Sequence, residues 1–229
     1  MLGQKKKLTR KEIKQDKLVE FYYKAQDFIQ KNQKKVLTYV GAFVAVIVLV
    51  FFYSNYRSSQ NEEAGSLLSK VMELYDAGSY LEAIEGKQGT PKIRGLKEIV
   101  SEFGNTENGE TAKIYLANAY AFLGQYDKAF EYFEDYSGSN DFFKATALAG
   151  QASYYSVKKD YAKAAKLYKQ AAFISEINPN RPDYLLQAGI NFMKVKNNDE
   201  AKNLFQIIKD DYKASNAHAQ VDRYFLELN

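Results

Sequence analysis

From Val36 to Tyr53 the chain reads VLTYVGAFVAVIVLVFFY, eighteen residues without a charge. Wound as a helix at 1.5 Å per residue, such a segment reaches about 27 Å, close to the hydrocarbon thickness of a bilayer. Twelve of its residues are Val, Leu, Ile or Phe, and together they favour insertion by about 4–7 kcal/mol. Tyr39 near one end, with Tyr53 and Tyr56 at the other, suits the two interfacial belts of a membrane. A buried helix of a soluble protein carries a polar stripe at this length, and the segment has none. The expectation is a transmembrane helix over 36–53. A cleaved signal peptide fits less well: its basic region would be 35 residues long, and no A-x-A-like site follows, the next residues being SNYRSSQ.

The charge distribution orients this span. Residues 1–35 hold 11 Lys or Arg against 4 Asp or Glu, a net +7, so the remaining residues carry −3 of the total of +4. Lys34 and Lys35 stand immediately before the span, with Lys31 and the Lys5–Lys7 cluster further back, whereas Arg57 is alone after it until Lys70. The positive-inside rule then places 1–35 in the cytoplasm of a bacterial cell and 57–229 in the periplasm, with the span in the inner membrane. A whole-chain pI of about 8.8 would suggest nucleic acid, but the excess belongs to a membrane-flanking tail and no nucleic-acid partner is expected.

Within that tail, residues 8–32 lack Gly and Pro and read as a helix. Leu18, Tyr22, Ala25 and Ile29 recur at helical spacing, Phe21 and Phe28 broaden the stripe, and Lys14, Lys17, Lys24 and Lys31 are interspersed. A basic amphipathic helix beside a bilayer lies in the headgroup layer of anionic lipid; docking on a protein partner is the other reading. Residues 54–63 read as a linker.

Beyond the linker, self-similarity governs. LGQYDKAFEYF (123–133), VKKDYAKAAKLY (157–168) and VKNNDEAKNLF (195–205) each carry a small residue, Ala129, Ala164 or Ala201, followed four residues later by Phe133, Tyr168 or Phe205. The alanines are 35 and 37 residues apart, near the 34-residue period of tetratricopeptide (TPR) hairpins. Ala117 with Tyr120, Ala152 with Tyr155 and Gly189 with Phe192 form small-then-aromatic pairs one helix earlier, and AGSYLEAIEG (77–86) supplies Ala83 for an earlier copy. In this reading the small residue lets two helices approach and the aromatic fills the space beside it. Each hairpin exposes an apolar face that the next one covers, so about four hairpins stack into an α-solenoid over 64–229. The first interval, Ala83 to Ala129, is 46 residues, and its surplus falls in EGKQGTPKI. Thr90-Pro91 reads there as a helix start, with Ile93, Leu96, Ile99, Val100 and Phe103 as its apolar stripe. Ala214–Leu228 reads as a C-terminal capping helix with Val221, Phe225 and Leu228 inward. The fold class expected is all-α.

Chemistry is absent from the sequence. The chain has no Cys and a single His, His218, which excludes thiol catalysis, disulfides and multi-His zinc sites. No Gly-rich loop followed by Lys-Ser/Thr and no G-x-S-x-G is present. Asp210-Asp211 and Glu62-Glu63, adjacent in sequence, diverge on a helix and read as solvated surface. No catalytic, metal or cofactor site is expected, and an enzyme is not. What remains is a surface: the groove of such an array is lined by first helices, giving Asn118, Phe122, Ser153, Ser156, Ile190 and Met193 as candidate partner-binding residues. This mixed apolar and hydroxyl lining suits an extended peptide or a partner helix. Gly41 and Ala45 form a small-xxx-small pair on which another membrane helix could seat.

The basic tail, the span at 36–53 and repeats such as GETAKIYLANAYAFLGQYDKAFEYF together resemble the single-span TPR ancillary subunit of the Sec translocon, a family related in its repeats to periplasmic TPR proteins of cell-division coordination. The resemblance covers nearly the whole chain. It implies an inner-membrane protein beside the SecYEG channel, partnered with a membrane-anchored periplasmic prolyl-isomerase-like chaperone and handling emerging secretory or outer-membrane polypeptides. The alternative is a structural adaptor for other envelope machinery: division, cell-wall synthesis or a specialised secretion system.

Overall fold

The computed structural model describes residues 10–90 and 92–228, without the side chains of 10–16 and 18. The Lys5–Lys7 cluster, Pro91 and the side chain of Leu18 thus lie outside the described residues. Eleven helices account for nearly all the described chain. Packing divides the protein into two units, Met1–Tyr56 and Arg57–Asn229, with the boundary inside a helix.

The first unit holds α1 (Arg10–Lys31) and the beginning of α2 (Gln33–Asp76). Asn32 alone separates them, and helical bonding runs through it: its backbone and side-chain amides both donate to the Phe28 carbonyl at 3.0 Å, and its carbonyl accepts from the Val36 amide at 3.0 Å. Residues 37–53 of α2 are exposed throughout. By length and composition α2 is apolar enough to cross a membrane, with a mean hydropathy of 2.5 over its most apolar eighteen residues. Residues 54–63, expected as a linker, are helical instead. The stretch SNYRSSQNEE contains no Gly or Pro to break the helix. From Arg57 onward it also belongs to the second unit: Arg57 donates to the Asn105 carbonyl, and Asn61 accepts from both amides of Asn108 at 2.8 Å.

The second unit is a succession of helices: α3 (Tyr80–Glu85), α4 (Leu96–Phe103), α5 (Glu107–Phe122), α6 (Tyr126–Glu134), α7 (Asp141–Val157), α8 (Tyr161–Ile174), α9 (Arg181–Lys194), α10 (Asn198–Asp211) and α11 (Asn216–Glu227). From α4 on, each helix packs on the next, and α5 also touches α7 as α9 touches α11. The starts of five are sealed by side-chain oxygens: Thr106 accepts from Gly109, Asn140 from Phe142 and Phe143, Asp160 from Lys163, Asn197 from Glu200 and Ser215 from His218.

The repeated small residues do what their spacing predicts. Ala83, Ala117, Ala129, Ala152, Ala164 and Ala201 are all buried, as are Phe133, Tyr168, Phe192 and Phe205. Two glycines show why the size matters. A methyl group at Gly189 would stand 2.2 Å from the Phe205 ring, and one at Gly150 would stand 2.3 Å from the Phe133 ring. The aromatic of one helix therefore lies directly over the bare backbone of its neighbour. Two core clusters result, one from α2 to α7 around Ile84, Leu96, Ile99, Ile114 and Leu116, the other from α7 to α11 around Leu185, Leu186, Leu204, Phe205 and Ile208. Helix α11 turns Ala217 and Val221 into the second of these.

The surplus between α3 and α4 differs from expectation. Thr90 lies outside any helix, and α4 begins at Leu96 with Gly95 as its cap. Ahead of it, β1 (Gly86–Lys87) and β2 (Ile93–Arg94) pair antiparallel, Gly86 opposite Arg94. Two glycines decide this: Gly86 has φ +87°, and a Cβ on Gly95 would stand 2.3 Å from the Ile84 carbonyl oxygen. Backbone approaches that close make a hairpin where a Thr-Pro helix start had been expected.

Candidate partner-binding surface

Helices α5, α6 and α7 line a half-open cavity of about 150 Å³. Asn118 from α5 and Ser153 from α7 enter it as polar groups, while Tyr126, Phe130, Phe133 and Tyr154 supply aromatic walls. Gly150 also lines it, and its missing side chain lets the Phe133 ring seat against the α7 backbone. Phe130 stacks on Tyr154 with centroids 4.4 Å apart, and the Tyr154 hydroxyl donates to Asp127 at 3.0 Å. Lys158 pairs with the same carboxylate at 3.0 Å. The Lys158 and Tyr154 hydrogen bonds hold the Asp127 carboxyl below its ordinary range.

Two of the six candidate groove residues, Asn118 and Ser153, thus share one cavity. Phe122 is 64% exposed and stacks flat on Tyr80, centroids 4.7 Å apart. The other three serve packing. Ser156 donates to the buried Asn191 at 3.0 Å, tying α7 to α9, and Asn191 in turn donates to the Gln187 carbonyl at 2.8 Å. Ile190 and Met193 are half-buried against the second core. Gly41 and Ala45 are exposed on α2, and a methyl group on Gly41 would touch nothing among the described residues.

Residue types alone did not reveal an aromatic cluster beside the cavity. Tyr75 at the end of α2 meets Tyr80 and Tyr115 edge-on at 5.4 and 5.2 Å, and Tyr115 meets Phe143 at 6.3 Å. Burial chiefly, with Tyr80 and Tyr115 adding to it, pushes the Tyr75 phenol up to about 12 against a hydrogen bond to Asn118. A second unforeseen feature is a buried polar knot. Lys113 meets Glu110 at 2.9 Å and Asp135 at 2.8 Å, and Glu110 accepts from the Ser137 amide and hydroxyl at 2.9 and 2.8 Å. Burial opposes the Lys113 charge, but its bonds to Asp135 and Glu110 prevail and its pKa is raised. The knot closes the α6–α7 connection over α5. The i, i+3 spacing of Glu110 and Lys113 was the available signal, but that spacing is ordinary on any exposed helix.

Among the described residues no group of three or more His, Cys, Asp or Glu side chains could hold a metal ion. No protein-family model matches the chain, and no curated protein matches it.

Proposed function

We propose that this protein is a membrane-tethered scaffold: a single span at 36–53 holds a TPR-type α-solenoid in the periplasm, where it binds other polypeptides. The observation that carries this reading is the uncovered apolar side of α2. Phe43 is 67% exposed and Leu49 69% exposed on a segment without a charge, and water does not support such a surface. Behind it, hairpins at near-34-residue spacing pack each on the next, the pattern by which repeat arrays build extended binding faces. The cavity shared by Asn118 and Ser153 fits one apolar side chain of an extended client.

The resemblance to the translocon ancillary subunit supplies the place of action. The scaffold sits beside the SecYEG channel and cooperates with a membrane-anchored periplasmic chaperone on emerging secretory or outer-membrane proteins. The test is purification of the tagged full-length chain in mild detergent. Recovery of SecY with a periplasmic chaperone is expected. Recovery of division or cell-wall proteins in their place would assign the scaffold to other envelope machinery. Extraction of the chain from membranes by alkaline carbonate would overturn the tether itself.

A further inference from the structure

The apolar side of α1 packs on nothing among the described residues. Phe21 is 71% and Phe28 62% exposed, and Tyr22 and Ile29 are exposed with them. At 100° per residue, Phe21, Tyr22, Ala25, Phe28 and Ile29 fall within one arc of about 120°; Val19 and Tyr23 lie outside it. Lys17, Lys24 and Lys31, seven residues apart, form a single row along one margin of that arc. Glu20 and Asp27, also seven apart, form the next row, farther from the apolar arc. Ion pairs join the rows, Lys24 to Glu20 at 2.6 Å and Lys31 to Asp27 at 2.7 Å, all four side chains exposed. Outward from that margin of the arc the order is therefore aromatic and aliphatic, then basic, then acidic.

That order matches a bilayer surface met from the side: acyl boundary, anionic phosphates, water. The acidic row faces away from the phosphates, and exposed pairs of this kind are weak enough for lysines to exchange partners. Lys34 and Lys35 continue the basic character up to the charge-free stretch of α2. Pairing with a second copy as a coiled coil is disfavoured, since the stripe runs for two heptads where three or four are needed.

We infer that α1 is an interfacial helix that binds anionic phospholipid through the Lys17–Lys24–Lys31 row, with its aromatic arc in the headgroup layer. This rests on the reading of 36–53 as a span. A basic residue near an anionic surface contributes about fivefold to partitioning, so the three together contribute about a hundredfold.

The chain has no Cys, so a spin label can be placed at Ala25→Cys, inside the arc, or at Gln30→Cys, on the opposite side. Full-length protein is reconstituted in phosphatidylcholine vesicles with or without about a third phosphatidylglycerol. With phosphatidylglycerol, the Ala25 label is expected to be shielded from a water-soluble relaxing agent while the Gln30 label stays open. In pure phosphatidylcholine, or with Lys17→Gln, Lys24→Gln and Lys31→Gln combined, the shielded-to-open ratio should fall about a hundredfold. Equal openness of both labels, shielding indifferent to lipid charge, or spin–spin broadening that grows with protein density (a second copy) each overturns the proposal. Carbonate treatment of the same vesicles separates the two readings. Loss of the chain condemns the span, whereas a retained chain with an open Ala25 label condemns the lipid-binding helix alone.

Discussion

Four turns between paired helices share one backbone shape but not one residue type. Gly78 and Gly124 hold φ near +74°, and at the equivalent places Lys159 and Lys196 hold +65° and +60°. A side chain in the left-handed region costs about 1–2 kcal/mol, partly offset by the greater freedom glycine has when unfolded. Lys159→Gly and Lys196→Gly should therefore each stabilise the 57–229 unit by about 0.5–1 kcal/mol, read as a higher urea midpoint. Tyr75 gives a residue-scale pH dependence. Its folded pKa of about 12 exceeds its ordinary 10, so between those values the folded chain keeps a proton that the unfolded chain has lost. Stability then falls as pH rises through that window and is untouched below it. Tyr75→Phe should flatten the decline of the urea midpoint between pH 10 and 12; an unchanged slope would assign the alkaline loss to other groups, Lys113 among them.

Between elements, stability depends on aromatic rings seated over small residues. Gly189→Ala drives a methyl group into the Phe205 ring and Ala164→Leu overfills a buried position on α8. Each should cost about 1–3 kcal/mol through overpacking, measurable by the same urea titration, while an exposed change such as Gln170→Ala should be near neutral. This level was the most legible in the sequence. A small residue followed three or four positions later by an aromatic is a statement about helix faces, and the alanines it marked are buried. The hairpin at 86–94 was not legible, because it depends on Gly86 and Gly95 meeting in space, and Thr-Pro carries an equally good local signal for a helix start. The groove residues divided for a similar reason. Spacing shows which face of a helix a residue occupies, but not that Asn191 would come from the next hairpin to engage Ser156.

At the scale of the molecule, an apolar surface is tolerated in one place and consumed in another. Residues 37–53 of α2 are exposed without a break, while the helices of the 57–229 unit bury Ile84, Leu96, Ile99, Ile114, Leu116, Leu185, Leu186, Leu204 and Ile208 and leave aliphatic side chains such as Ile177 and Leu226 singly exposed. The proposed tether predicts that full-length protein requires detergent, whereas 57–229 stays in solution without it; sedimentation of both at matched concentration distinguishes them.

Helix α7 is a party wall. It lends Ala147 to the core on one side and Ala145, Ala149 and Ala152 to the core on the other. Few contacts bypass it, so damage to one compartment need not empty the other. Native-state hydrogen exchange should find two blocks of amides that open separately, with α7 protected as long as either neighbour stands.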